Sequence, residues 1–135
     1  LIGHSHGGGS VYDLTWRLNQ DVLDGKFTTP FSIAFTAYID AIEQEHLWKP
    51  PWKAISAETR LPVGTKYHAN YYQRITGAGG LYLNGDVVNG AVVNINVNVV
   101  NWNDRFGNDL THSTIDDSED LKDHVLPRFK NRVAR

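Results

Sequence analysis

Apolar residues recur at helical spacing over residues 10–24. Val11, Leu14, Leu18, Val22 and Leu23 share one face, and Gly25 stands where a C-terminal cap belongs. Thr28-Thr29-Pro30 breaks the pattern. An almost continuous apolar run over 31–39 follows, short enough for a buried parallel strand, and ends at Asp40. From 41 to 64 the pattern is irregular, and Trp48-Lys49-Pro50-Pro51-Trp52 fits neither a helix interior nor a central strand. Strand composition returns over 66–74. Residues 92–100 alternate, with Val93, Ile95, Val97 and Val99 on one face and Asn94, Asn96 and Asn98 on the other. Residues 117–133 read as a second amphipathic helix, acidic at its start and basic at its end, as the helix dipole favours. Strands joined through helices or long crossings predict an α/β fold, with a mostly parallel sheet of about four strands and flanking helices.

Composition narrows the classes. The chain has 135 residues, which fits a single domain over 1–135. Thirteen basic against fifteen acidic residues give a net charge of −2, with no basic excess for a nucleic-acid partner. The apolar stretches are too short for a transmembrane segment. With no cysteine there is neither a disulfide framework nor a thiolate metal site. No cofactor is expected.

The chemistry concentrates at the N-terminus. Gly3-His4-Ser5-His6-Gly7 matches G-x-S-x-G, follows two apolar residues and precedes a helical pattern. That is the strand–turn–helix setting of a nucleophile elbow, where a sharp turn projects a serine hydroxyl clear of the sheet. Flanking positions must be small because strand and helix pass closely. The amide of His6 and the helix N-terminus then face a developing oxyanion.

With these residues the sequence resembles the α/β-hydrolase superfamily, of the lipase and esterase type with a GHSxGG elbow. The likeness is clearest at residues 1–8 and around Leu110-Thr111-His112-Ser113-Thr114-Ile115-Asp116. It implies a serine hydrolase of carboxylic esters, working through an acyl-enzyme with a Ser-Asp-His triad and acting on a small-molecule or lipid ester. In that superfamily the chain order is Ser, then Asp or Glu, then His. His4 and His6 precede any acid and fail this test. His46 and His68 fall in the tryptophan–proline loop and a strand, and His124 on the terminal helix, where a surface position is expected. His112, in the loop before the last helix, is the expected base. Asp40 is the favoured acid because it ends a buried strand, at the edge of a parallel sheet where active sites gather. Asp86 stands second, with Asp104 and Asp109 behind it, while Asp116 and Asp117 are expected to cap the last helix. His4, Trp48 and Trp52 are expected to line the substrate site, and 43–64 to form a surface loop or lid.

The resemblance carries a further expectation. A full hydrolase of this type has several strands before its elbow, and this sequence has no methionine. The 135 residues are therefore expected to be the C-terminal half of such a fold, exposing a sheet edge that pairs with a missing half or self-associates. A fragment inactive alone is the corresponding alternative, as is a miniature enzyme completed by dimerising. A metal-dependent hydrolase using His4 and His6 is a weaker one. Residues 106–110 faintly resemble one turn of a calcium-binding β-roll, an architecture that needs many copies. Secretion is common for the lipase type.

Overall fold

A computed structural model describes residues 1–29, 31–43, 56–75 and 85–133. Four strands, β1 (Ile2–His4), β2 (Thr36–Ile39), β3 (His68–Tyr72) and β4 (Val93–Asn96), form one sheet in sequence order. Every neighbouring pair is parallel. Helices α1 (His6–Leu23) and α2 (Glu119–Val133) cover opposite faces. The expected α/β architecture is thus present.

Strand alternation sorts side chains between the two faces. Phe35, Ala37, Ala69 and Tyr71 pack with Leu121 and Val125 of α2, joined by Val93 and Ile95. On the other face Tyr38 packs with Val11 of α1, Ala41 and Val88. The asparagine face of β4 is half-buried and wired to loops. The Asn94 side chain donates to the Val88 carbonyl and accepts from the Val88 amide and the Asn70 side chain. Asn98 accepts from the Arg74 amide and donates to the Leu110 carbonyl. The bonds to Val88, Arg74 and Leu110 satisfy loop backbone groups that would otherwise have no strand partner.

Element ends differ from the sequence pattern for local reasons. Helix α1 starts at His6, four residues earlier than the apolar spacing suggests, and runs through Gly7, Gly8 and Gly9. Glycine costs a helix about 1 kcal/mol against alanine. Contact explains Gly8, where an added Cβ would lie 2.1 Å from the Ala41 Cβ. Gly25 ends α1 as expected, with φ 69° and its amide bonded to the Val22 carbonyl. Within 31–39 only Thr36–Ile39 pairs as a strand, with an isolated bridge from Ile33 to Thr65. Within 66–74 the strand is His68–Tyr72.

The expected strand over 92–100 stops at Asn96, because the chain then turns on its own asparagines. The Asn98 amide donates to the Asn96 side chain and the Val99 amide to the Asn96 carbonyl. Val97 stays buried, while Val99 is turned out to 75% exposure. Asp116 and Asp117 do not cap α2. They lie in a separate 3-10 turn (Ile115–Asp117), and Ser118 accepts from the Leu121 amide instead. His124 is half-buried rather than fully exposed. Its ring packs between Tyr71 and Trp102, and its Nδ1 is hydrogen-bonded with the Tyr71 hydroxyl at 2.9 Å. Burial pushes the Tyr71 phenol up to about 12, and burial followed by the nearby Arg128 charge pulls His124 down. Among the described residues, no helix is long and apolar enough to cross a membrane.

Candidate active site

The carboxyl ends of three parallel strands meet at one point. Ser5 follows β1, Asp40 follows β2 and Gln73 follows β3, and the loop carrying His112 folds over them. Ser5 has φ 55° and ψ −131°, a conformation that L residues rarely adopt. Its backbone is held on every side. The amide donates to the Ile39 carbonyl, and the carbonyl accepts from the amides of Gly8 and Ile42. Gly3 makes the turn sterically feasible, since a Cβ there would lie 2.2 Å from the Gly7 carbonyl oxygen.

Serine at a helix N-terminus ordinarily bonds the first-turn amides. Here the Ser5 hydroxyl makes no such cap. It lies 2.9 Å from His112 Nε2, while His112 Nδ1 lies 2.7 Å from Asp40 Oδ2. A carboxylate only accepts, so Nδ1 carries the proton and the neutral ring offers Nε2 as acceptor to the Ser5 hydroxyl. Asp40 and His112 are both nearly inaccessible, at 1% and 5% exposure. Asp40 itself has φ 43°, a strained corner that an aspartate tolerates better than most side chains.

The sequence gives no sign of Gln73. It is fully buried, and its backbone amide and side-chain Nε2 donate to the two oxygens of Asp40 at 3.3 and 3.1 Å. Its own Oε1 accepts from the Ile75 amide. Gly85 closes the wall behind, where a Cβ would lie 2.4 Å from the Tyr72 Cβ and 3.1 Å from Asp40 Oδ1. Gln73→Leu leaves a buried carboxylate short of one donor and is expected to destabilise the fold by about 2 kcal/mol. Urea titration against the parent chain checks this.

The rival acids lie apart from this cluster. The Asp86 carboxylate is 64% exposed, accepts from the Val87 amide and lies 3.9 Å from Arg74. Asp104 closes its own loop by accepting from the Phe106 and Asn108 amides, which holds its carboxyl below the usual range. Asp109 is exposed, bridged to Asn103 through the backbone. His68 is buried in β3 beside Thr36. The His4 ring, expected against substrate, has Nε2 2.9 Å from the His112 carbonyl and Nδ1 3.6 Å from Asp116. His6 is exposed, and its amide, in the first helical position, has no carbonyl one turn back to bond. Among the described residues, no three His, Cys, Asp or Glu side chains are grouped to hold a metal ion. His46, Trp48 and Trp52, with 44–55 of the expected lid, lie outside the described residues.

Comparison with models of known protein families, with curated proteins and with solved structures found no match.

Proposed function

We propose that this chain carries the nucleophile, base and acid of a serine hydrolase acting on carboxylic esters. The carrying observation is the continuous hydrogen-bonded line Ser5–His112–Asp40, built on a strained turn whose serine caps nothing. In the proposed mechanism the Ser5 oxygen attacks the ester carbonyl as His112 Nε2 takes its proton. Asp40 stabilises the resulting imidazolium, and Gln73 keeps both carboxylate oxygens oriented. The His6 amide and the N-terminus of α1 favour the oxyanion. His112 returns the proton to the departing alcohol, then activates water to release the acid from Ser5.

Hydrolysis of p-nitrophenyl butyrate, with mass-spectrometric mapping of a fluorophosphonate adduct, tests the reading. Turnover and a single adduct on Ser5 are expected; a reagent that leaves Ser5 unmodified overturns it.

The sheet edge favours a variant of the same reading. Among the described residues β1 pairs only with β2, and Leu1 and Ile2 are 41% and 44% exposed. A second copy, or a strand outside these residues, would cover that edge and complete the fold around the site. The variant predicts turnover that rises more than linearly with protein concentration, or that emerges only when the pairing segment is added.

A further inference from the structure

Consecutive residues of the elbow reach the same histidine in two different ways. Ser5 meets the His112 ring, whereas His4 Nε2 meets the His112 backbone carbonyl, both at 2.9 Å. The carbonyl can only accept, so His4 carries its proton on Nε2 and turns Nδ1 outward. Asp116 Oδ2 stands 3.6 Å from that Nδ1, and the two imidazole rings lie 5.1 Å apart. The far side of the His112 loop is tied to itself. The Thr111 amide and hydroxyl contact the Thr114 hydroxyl, and the Ile115 amide donates to the Thr111 carbonyl. Among the described residues, further side-chain bonds tie this segment to the strand ends, between His112 and Asp40 and from the Asn98 side chain to the Leu110 carbonyl.

We propose that His4 is a positioning residue: it braces the His112 backbone against the elbow. This rests on the serine-hydrolase reading and adds to it a link between nucleophile and base that spans 108 residues of sequence. The physical reason is the tolerance of proton transfer. His112 Nε2 must stay within hydrogen-bond reach of the Ser5 oxygen while its ring gains and loses a proton, and an ångström of drift costs about a hundredfold in rate. Asp40 fixes the ring's rotation, Asn98 holds the segment at Leu110, and the His4 bond holds the main chain at His112 itself, where the ring is hung.

The test compares His4→Phe and His4→Gln in the full chain, with p-nitrophenyl butyrate as probe. His4→Phe keeps a ring but removes the donor, and is expected to lower kcat about tenfold with KM within about twofold. His4→Gln restores a donor at the depth of Nε2 and is expected to recover most of that loss. Proton NMR supplies a readout independent of turnover. The His112 Nδ1 proton shared with Asp40 should give a far-downfield resonance that broadens in His4→Phe and sharpens again in His4→Gln. An unchanged resonance and kcat in His4→Phe, or His4→Gln no better than His4→Phe, overturns the brace. Failure of the hydrolase reading looks different: the parent chain then lacks turnover and the Ser5 adduct, while the resonance still reports whether His4 positions His112.

Discussion

Asp40→Asn is expected to reduce ester turnover by about 10⁴-fold, close to the loss from Ser5→Ala, and the double variant to be scarcely worse than either. The aspartate accepts the Nδ1 proton of His112 at 2.7 Å, which leaves Nε2 as the acceptor facing Ser5. An asparagine can turn its amide nitrogen toward Nδ1, and Nδ1 must then accept. The ring proton moves to Nε2, where it faces the Ser5 oxygen and cannot receive the hydroxyl proton. The geometry survives while the tautomer is wrong. Ser5→Ala removes the attacking atom itself. Neither residue contributes without the other two, so their losses should not multiply. Steady-state kcat for p-nitrophenyl butyrate across Ser5→Ala, Asp40→Asn and the double variant checks this. A double variant whose loss approaches the product of the single losses would show that the side chains do not act as one unit.

What the sequence discloses of this site follows the range over which its signals act. The elbow is legible because Gly3, Ser5 and Gly7 are dictated by a local turn, whose φ of 55° at Ser5 and close approach at Gly3 are set within five residues. Asp40 is legible because a carboxylate ending an apolar run is chemically conspicuous. Gln73 is not. It matters only because β3 lies beside β2, with Tyr71 opposite Ile39, and a polar residue leaving a strand looks like any loop start. The pairing of His4 with the His112 carbonyl is equally silent, since no side-chain pattern marks a backbone acceptor. Helix and strand limits went astray where side chains compete for backbone groups, as Asn96 does beyond β4 and Ser118 before α2. His124 misleads for another reason. Helical spacing places it beside the buried stripe of α2, and only the aromatic pair Tyr71 and Trp102 draws it inward.

His68→Leu is expected to remove most of an acid-sensitive part of this protein's stability, worth about 3 kcal/mol between pH 6.5 and pH 4. His68 is 1% exposed in the middle of the sheet, edge-on to Tyr38 at 4.3 Å between ring centres. Its Nδ1 pairs with the Thr36 hydroxyl at 2.8 Å, and among the described residues its Nε2 has no partner. No carboxylate among its bonded neighbours rewards a positive charge, and burial pulls its pKa from 6.5 down to about 4. The sign follows from proton counting. Between those two values the unfolded chain holds a proton on His68 that the folded chain refuses, so stability falls as pH drops through this window. Above pH 6.5 both states are neutral and the residue imposes no pH dependence. Below pH 4 both are protonated and the penalty no longer grows. Leucine is close in size and does not titrate, while Thr36 keeps its contact with the Thr65 hydroxyl at 3.0 Å. Urea titrations at pH 7.5, 6, 5 and 4 should therefore show the parent losing stability faster than His68→Leu, with the two curves parallel at and above pH 7. Curves that stay parallel down to pH 4 would mean that the imidazole accepts its proton in place, and that the β3 interior admits more water than the packing around His68 shows.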